Sequence, residues 1–284
     1  MKKVKVKIPA KINLTLDVLG EKNGYHEISS LVASLDIYDE ITVMPLKEDI
    51  ISLKFYGSPV YCETKKSNAY FAAEAFRKEF SSGGVDIRIK RNIPVAAGLG
   101  GSSADIAGVL SGMKKLYGVK KDLGFIAERL GSDVNYMMQS GYAVISNRGE
   151  QVRTVNADAK IYVVVLLGTK GVSAGESYRV FDELKKTYDK STDNAVKFLE
   201  REDMENLFGV IKNDLQDASE KILPEISYSL SILQGFGKAL MTGSGSAVYA
   251  VFSEKGKRNA AYNKLKKVFG ERVIKAETVK IDIN

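Results

Sequence analysis

The feature that most constrains the fold is a glycine- and serine-rich run, Pro94–Ala104, which separates two segments of different periodicity. Upstream, Val85–Lys90 alternates apolar and charged residues at the period of a β-strand. Downstream, apolar residues recur at helical spacing: Ile106, Val109, Leu110, Met113, Leu116 and Tyr117. The run is therefore predicted to join a strand to the N-terminus of a helix.

A helix N-terminus that follows small residues is a common phosphate-binding arrangement. Its first N–H groups lack helical partners and carry the positive end of the helix dipole. The run lacks the Gly-Lys-Ser/Thr ending of a P-loop and does not fit G-x-G-x-x-G, and an ordinary turn explains these residues about as well. The candidate phosphate-contacting residues are Pro94, Val95, Ala96, Ala97, Gly98, Leu99, Gly100, Gly101, Ser102, Ser103 and Ala104.

Length and charge favour a two-domain protein with anionic ligands. The chain has 284 residues, enough for about two domains. A formal charge of +7 raises the local concentration of anions, nucleic acid included. Lysines and arginines are spread along the chain, and the densest cluster, Lys255–Lys267, has the pattern of an amphipathic helix. We therefore expect no nucleic-acid partner.

Cysteine and histidine are too rare for a disulfide or a zinc site. The chain has one cysteine, Cys62, which we interpret as structural, and one histidine, His26. The longest apolar run, Val163–Leu167, is far shorter than a membrane span, and the charged N-terminus lacks the apolar core of a signal peptide. We expect a cytoplasmic protein with no membrane partner.

The first half reads mainly as strands. Val4–Ile8 and Ile12–Val18 alternate apolar and polar residues, which predicts two strands broken near Pro9. Lys11 and Asn13 then share a polar face, which by itself favours a solvent-exposed strand face. A helix is predicted from about residue 68 to 80.

The second half has a different order of elements. It contains a buried-looking strand at Ile161–Leu167, helices from about 176 to 234, strands at Lys238–Met241 and Ala247–Phe252, then a helix and a final strand, Arg272–Ile281. Taking the helical stretch as one unit, this is a β-α-β-β-α-β, ferredoxin-like order. The predicted fold class is α+β, with domains at residues 1–155 and 156–284 and the active site between them.

Three motifs, in order, resemble those of the GHMP kinases, which phosphorylate small molecules. They are Pro9–Leu14 near the N-terminus, the Pro94–Ala104 run, and Met241–Phe252, a glycine-rich loop that leads into a strand. Four further segments resemble one family within that superfamily, the kinases of 4-diphosphocytidyl-2-C-methyl-D-erythritol: Gly24–Glu27, Leu130–Val134, Asn213–Leu215 and Pro224–Ile226. The likeness spans nearly the whole chain. This chain departs from the family pattern in one glycine fewer in the loop, in Ser132 for Ala and in Asn135 for Pro.

The resemblance implies a fold and a reaction. It implies an N-terminal domain with a mixed sheet and a glycine-rich phosphate loop, and a ferredoxin-like C-terminal domain. It implies ATP and Mg²⁺ as cofactors, with Lys11 and Asp133 as the catalytic pair and Asn68 as a further nucleotide contact. The metal ligands are unknown, although Ser103 or a water on the loop are candidates. Without the resemblance, the sequence around Asp133 indicates a helix N-cap. Asn68 would then be interpreted as the cap of the helix that follows it.

The resemblance also implies a small-molecule cytidylyl substrate. Tyr25 would stack on cytosine, His26 would hydrogen-bond the base edge, and Tyr178 would cover the other face. Asn13, Gly243 and Ser244 complete the implied substrate contacts. From the residues alone, His26 reads as a solvated loop residue and Gly243–Gly245 as a hairpin turn.

Three alternatives stay open at the level of sequence. The chain could be another GHMP kinase, acting on homoserine, mevalonate or a sugar; a non-enzymatic protein with this fold; or a nucleic-acid binder that uses its basic charge. The Tyr25–His26 pair favours the cytidylyl substrate, because the other acceptors carry no base. We expect a monomer or a weak homodimer that acts at a middle step of the methylerythritol phosphate route to isoprenoids.

Overall fold

The computed structural model describes residues 2–22, 24–57, 64–187 and 189–283. Cys62, interpreted above as structural, lies outside these residues. The strands are β1 (Val4–Asn13), β2 (Thr15–Lys22), β3 (Tyr25–Pro45), β4 (Ile51–Gly57), β5 (Val85–Arg91), β6 (Tyr142–Asn147), β7 (Gln151–Val155), β8 (Tyr162–Leu166), β9 (Lys212–Asn213), β10 (Lys238–Met241), β11 (Val248–Phe252) and β12 (Val273–Glu277). The helices are α1 (Asn68–Phe80), α2 (Gly101–Tyr117), α3 (Gly124–Leu130), α4 (Val134–Met137), α5 (Ala174–Leu184), α6 (Thr192–Glu200), α7 (Met204–Val210), α8 (Gln216–Ile222), α9 (Glu225–Gln234) and α10 (Lys255–Phe269).

The first sheet is organised around β3, a strand of 21 residues. It pairs antiparallel with β1, β2, β5 and β6 along different parts of its length. β4 joins β5 and β9 joins β2 in parallel, so the sheet is mixed, as expected. Helix α2 packs against β1 and β3, and Gly108 allows close approach there, because a Cβ would lie 2.4 Å from Cδ1 of the buried Ile41. The helix that follows the glycine-rich run is therefore packed closely on the first sheet.

The predicted break at Pro9 is wrong. β1 runs through Pro9, with a shift in register between Pro9 and Ala10, and the chain breaks only at Leu14. Proline cannot donate a ladder hydrogen bond, and the bulge absorbs this defect without ending the strand. Beyond the bulge, the polar residues Lys11 and Asn13 are buried rather than exposed to solvent.

The second sheet has the order β10-β11-β8-β12, with every neighbouring pair antiparallel. This is the arrangement of a ferredoxin-like fold, which confirms the order predicted for the second half of the chain. The predicted final strand, residues 272 to 281, is too long. β12 ends at Glu277, after which the chain leaves this sheet and crosses to the first one, where the N–H of Val279 donates to the carbonyl of Ser34 at 3.0 Å.

The two halves of the chain are tied together by buried polar groups. The carboxylate of Asp17, on β2, accepts hydrogen bonds from the N–H groups of Ser191 and Thr192 at the start of α6, and lies 3.1 Å from Nζ of Lys212. Burial alone would raise the pKa of Asp17, but the hydrogen bonds from Thr192 and Lys212 outweigh burial and lower it. Because β9 joins the first sheet from the chain's second half, the domain boundary near residue 155 stays a prediction.

A buried carboxylate holds the segment that leads into the glycine-rich run. Oδ1 of Asp39, on β3, accepts hydrogen bonds from the N–H groups of Asn92 at 2.6 Å and Ile93 at 2.8 Å. Nearby, Nε of Arg91 donates to Oδ2 of Asp105 at 2.9 Å. Within the described ranges, Oδ2 of Asp39 and Oδ1 of Asp105 are buried with no hydrogen-bond partner. Burial, helped by the charge of Asp105, raises the pKa of Asp39 to about 7, although the two backbone hydrogen bonds oppose the shift.

We predict that Asp39→Asn stabilises the protein increasingly as pH rises from about 4 to about 7. The pKa of Asp39 rises from 3.8 to about 7 on folding. In that interval the folded wild type keeps a proton that the unfolded chain has lost, so its stability falls as pH rises. Asparagine keeps the acceptor for Asn92 and Ile93 and has no charge to bury. Thermal unfolding between pH 4 and pH 8 should therefore show a widening advantage for the variant, by several degrees at pH 8.

Asp36→Asn is the matched control, because Asp36 lies on the same strand but is exposed. It should leave the pH dependence as in the wild type. Parallel pH profiles for the wild type and Asp39→Asn would contradict the prediction.

Candidate active site

A cavity of about 360 Å³ opens where the glycine-rich run, the end of β1 and the loop between β10 and β11 meet. It is lined by Lys11, Asn13, Leu16, Ile28, Pro94, Ala96, Ala97, Gly98, Leu99, Gly100, Gly101, Ser102, Ser103, Ser132, Asp133, Ile145, Arg148, Ala174, Tyr178, Leu215, Gly243 and Ser244. Most of the predicted site residues are therefore gathered here from distant parts of the chain.

The glycine-rich run has the geometry of an anion-binding loop. Gly100 is the N-cap of α2, in a left-handed conformation with φ of 82°, and no side chain caps the helix. At Gly98, with φ of 75°, a Cβ would lie 2.2 Å from the carbonyl oxygen of Thr242, so only glycine fits. The uncapped N-terminus of this 17-residue helix can therefore donate backbone N–H groups to phosphate.

Lys11 and Asp133 form an ion pair at the wall of the cavity. Nζ of Lys11 lies 3.3 Å from Oδ2 of Asp133; the lysine side chain is 5% exposed and the aspartate side chain 28%. Asp133 precedes α4, but its carboxylate makes no capping hydrogen bond, so helix capping does not account for it. The arrangement presents an accessible carboxylate beside a fixed positive charge.

Asn13 links Lys11 to the loop between β10 and β11. Its Oδ1 accepts hydrogen bonds from Nζ of Lys11 at 2.7 Å and from the N–H of Gly243 at 3.1 Å, while Nδ2 donates to Oγ of Ser30 at 2.8 Å. The backbone N–H of Asn13 donates to Oγ1 of Thr242 at 3.2 Å. Asn13 thus joins elements that lie more than 200 residues apart in the chain.

The loop carrying Gly243 and Ser244 is held by a residue that the sequence analysis did not single out. Nδ2 of Asn213 donates to the carbonyl oxygens of Met241 at 2.9 Å and Gly243 at 2.8 Å. Oγ of Ser244 donates to the carbonyl of Val172 at 3.1 Å. Asn213 lies in a segment already noted for its family likeness, and only the fold shows that its amide braces this loop.

Of the three predicted base-binding residues, Tyr178 alone lines this cavity, while His26 lines a separate one with Phe181 and Asp182. Tyr178 lines the cavity and stacks on the ring of His26, with centroids 4.5 Å apart and an interplanar angle of 17°. Burial, with the charge of Asp133 nearby, raises the pKa of Tyr178, so its phenol stays protonated. Tyr25 is about half exposed, and the guanidinium carbon of Arg148 lies 3.7 Å from its ring centroid. Tyr25 and His26 do not line the cavity directly, whereas Arg148, which the sequence analysis missed, does.

Asn68 lies beside a second, smaller cavity of about 190 Å³ that adjoins the first. Its Nδ2 donates to Oγ of Ser102 at 2.6 Å. The cap of α1 is Ser67, whose hydroxyl accepts from the N–H of Tyr70 at 3.3 Å, so Asn68 is not needed as a cap. Both cavities are lined by Ala96, Gly101 and Ser102, so a ligand could extend from one into the other.

Two other kinds of site find no support in the described part of the chain. No three histidine, cysteine, aspartate or glutamate side chains there are grouped so as to hold a metal ion. None of the helices there has the length and apolar character needed to cross a bilayer.

Two protein-family models match the chain. Residues 67–146 match the GHMP kinases N terminal domain, and residues 195–271 match the GHMP kinases C terminal domain. Together they cover more than half of the chain.

Relatives and solved structures point to one family of kinases. The chain is 32% identical over 271 residues to the 4-diphosphocytidyl-2-C-methyl-D-erythritol kinases of Bacillus cereus strain AH187 and Bacillus anthracis strain CDC 684, covering 93% of both chains in each case. A crystal structure of 4-(cytidine 5'-diphospho)-2C-methyl-D-erythritol kinase is 27% identical, with a TM-score of 0.78, 97% of this chain covered and 99% of that one. The L. major mevalonate kinase in complex with R-mevalonate, at 15% identity, a TM-score of 0.76 and coverage of 98% and 96%, shares the fold. The chain is thus an ATP-dependent small-molecule kinase and belongs to the 4-diphosphocytidyl-2-C-methyl-D-erythritol kinase family of the GHMP kinases.

Proposed function

We propose that this kinase transfers the γ-phosphoryl group of ATP to the C2 hydroxyl of 4-diphosphocytidyl-2-C-methyl-D-erythritol. One observation carries the proposal: the Lys11–Asp133 ion pair and the uncapped N-terminus of α2 face the same cavity. A phosphoryl donor and an alcohol acceptor can therefore meet there. The family's place in the methylerythritol phosphate route to isoprenoids is the proposed biological role.

In the proposed reaction, the bond between the γ-phosphorus and the β,γ-bridging oxygen breaks, and a bond forms between that phosphorus and the C2 oxygen. The hydroxyl proton passes to Asp133, either as the new bond forms or late in the phosphoryl transfer, and ADP leaves. The ammonium of Lys11, 3.3 Å from the carboxylate of Asp133, offsets charge on the moving phosphoryl oxygens. Asp133 also orients the hydroxyl for attack.

The phosphates of ATP fit the loop from Pro94 to Ala104. Its glycines leave room beside the backbone, and Ser102 and Ser103 lie on the cavity wall. Asn68 and the smaller cavity would hold the nucleoside end. Oγ of Ser103, on the cavity wall, would hold Mg²⁺, which would neutralise phosphate charge.

The cytidylyl substrate would occupy the opposite end of the cavity. Tyr25 and Tyr178 supply aromatic faces for cytosine, and His26 supplies a ring nitrogen for the base edge. Asn13, Gly243 and Ser244 would contact the methylerythritol side. Arg148 stacks on Tyr25 and lines the same cavity as Asp133. We assign it to the diphosphate that connects cytidine to the alcohol, because a guanidinium matches phosphate oxygens in geometry and charge.

The remaining expectations stay predictions. They are a cytoplasmic location, a monomer or weak homodimer, and the absence of a nucleic-acid partner.

The test of the proposed function is ADP release by the purified protein with ATP and Mg²⁺. The acceptors to compare are 4-diphosphocytidyl-2-C-methyl-D-erythritol, free methylerythritol, homoserine, mevalonate and galactose. Release that depends on the cytidylyl compound would support the proposal. Release with another alcohol would retain the kinase mechanism and overturn the substrate.

We predict that Asp133→Asn lowers kcat by about two to four orders of magnitude, as expected when an acid-base group is lost. Asparagine keeps the shape of the side chain but cannot take the proton. Steady-state ADP release measures the effect, and ATP affinity should change little. The exposed Asp158→Asn is the control and should keep the wild-type rate. An Asp133→Asn enzyme that turns over at nearly the wild-type rate would remove Asp133 from this role.

We predict that Arg148→Gln raises KM for the cytidylyl substrate by about tenfold or more, since a hydrogen bond to a charged group contributes roughly 1.5 to 3 kcal/mol. KM for ATP should stay within about twofold, because the triphosphate binds at the other end of the cavity. Arg148→Lys keeps the charge and should recover part of the loss. Equal weakening of both substrates would indicate a structural role for Arg148 instead.

A further inference from the structure

Three residues on one face of α5 contact His26, the only histidine in the sequence. Tyr178, Phe181 and Asp182 are spaced three and four residues apart, so they lie on the same side of the helix. Tyr178 stacks on the ring of His26, and the ring of Phe181 meets it edge-on, with centroids 6.2 Å apart and an interplanar angle of 88°. Oδ1 of Asp182 lies 2.7 Å from Nε2 of His26. Position and rotation of the imidazole are therefore both set by this helix.

The hydrogen bond to Asp182 also decides which ring nitrogen carries the proton. A carboxylate accepts hydrogen bonds, so Nε2 of His26 must be the donor. In the neutral ring, Nδ1 then keeps its lone pair. Nδ1 makes no hydrogen bond to any residue in the described ranges, and the His26 side chain is 15% exposed. Nδ1 is thus the ring nitrogen of His26 that remains for a ligand.

We propose that Asp182 is a positioning residue that holds His26 in its Nε2-protonated form, so that Nδ1 accepts a hydrogen bond and selects an amino group over a carbonyl at the pyrimidine 4-position. This inference rests on the proposed function, in which His26 contacts the base edge. It assigns to Asp182 the discrimination between cytosine, which has an amino group at that position, and uracil, which has an oxygen there.

The physical basis is the mismatch between two acceptors. A uracil oxygen facing Nδ1 would place two hydrogen-bond acceptors side by side, and neither would have a donor in this partly buried site. Once Asp182 is removed, the imidazole can move its proton to Nδ1 and donate to that oxygen. The loss of Asp182 should therefore relax base selection more than it weakens binding.

Asp182 contributes little to stability, which makes this role testable. Its side chain is 53% exposed, and exposed ion pairs typically add little to folding free energy. The next residue, Glu183, is 52% exposed and pairs with Arg179 on the same helix. Glu183→Ala therefore removes an equal charge from α5 without touching His26.

The protonation state is measured directly by ¹⁵N NMR of the imidazole at neutral pH. With any affinity tag removed, a single histidine gives a single set of ring signals. We expect a protonated Nε2 and an unprotonated Nδ1 in the wild type and in Glu183→Ala, and a mixture of the two tautomers in Asp182→Ala. A wild-type ring that is protonated mainly on Nδ1, or on both nitrogens, would overturn the inference.

Base selection is measured as the ratio of kcat/KM for the cytidylyl substrate to that for its uridylyl analogue. Asp182→Ala should lower this ratio by about ten- to a hundredfold, the range expected for one mismatched polar group. Asp182→Asn, whose amide oxygen can still accept from Nε2, should keep most of the selectivity, and Glu183→Ala all of it. KM for ATP should stay constant throughout and reports on correct folding.

The outcomes separate this inference from the proposed function. A wild-type enzyme that uses the cytidylyl substrate, with a ratio unchanged in Asp182→Ala, would overturn the role of Asp182 and leave the function standing. A wild-type enzyme inactive with the cytidylyl substrate would overturn the proposed function and, with it, this inference.

Discussion

The site depends on one buried amide, the side chain of Asn13. Its Oδ1 receives the ammonium of Lys11 and the N–H of Gly243, and its Nδ2 donates to Ser30. Its backbone carbonyl accepts from the hydroxyl of Tyr249 at 2.7 Å. These bonds join the first sheet to the loop and strand of the second. An amide suits this position because it has acceptor and donor at fixed separation and carries no charge that burial would penalise.

The fixed position of Lys11 follows from this amide. An ammonium group that is 5% exposed needs polar partners, and here they are Asn13 and Asp133. Nζ of Lys11 donates to Oδ1 of Asn13 and pairs with the carboxylate of Asp133, and an ammonium with three protons keeps a donor for a phosphate oxygen. The backbone N–H of Lys11 also donates to the carbonyl of Leu99 at 3.0 Å, which connects Lys11 to the glycine-rich run. The Lys11 ammonium, the glycine-rich run and the Asp133 carboxylate are thereby held in one geometry, as the proposed electrostatic catalysis requires.

The backbone of the glycine-rich run is held by groups outside it, both just before the run and at its middle. Asp39 binds the backbone at Asn92 and Ile93, where β5 ends. Further along, Oγ1 of Thr242 donates to the carbonyl of Gly98 at 3.2 Å. The two hydrogen bonds that Asp39 accepts define the entry into the loop, although burial raises the pKa of Asp39 to about 7. A loop this rich in glycine gains its order from such neighbours rather than from its own side chains.

Local patterns in the sequence determined much of this protein. The bounds of α1, the strand β10, the glycine run at the start of α2 and the element order of the second sheet all follow from periodicity and turn residues, which act between near neighbours. The motifs identified the family. The roles proposed for Lys11, Asp133 and the base-binding residues remain predictions until variants are tested.

Tertiary structure decided what depends on contacts between distant segments. Pro9 looked like the end of a strand, yet pairing with β3 carries β1 through it with a bulge. Lys11 and Asn13 looked solvent-exposed, yet both are buried, and Asn13 is hydrogen-bonded to Thr242 and Gly243 from the second half of the chain. Arg148 over Tyr25, Asn213 under the loop at Gly243, and Asp182 beside His26 join residues that are from 30 to 156 positions apart. The sequence pattern around each of these residues contains no information about its partner, because burial and hydrogen bonding are set by which segments the whole fold brings together.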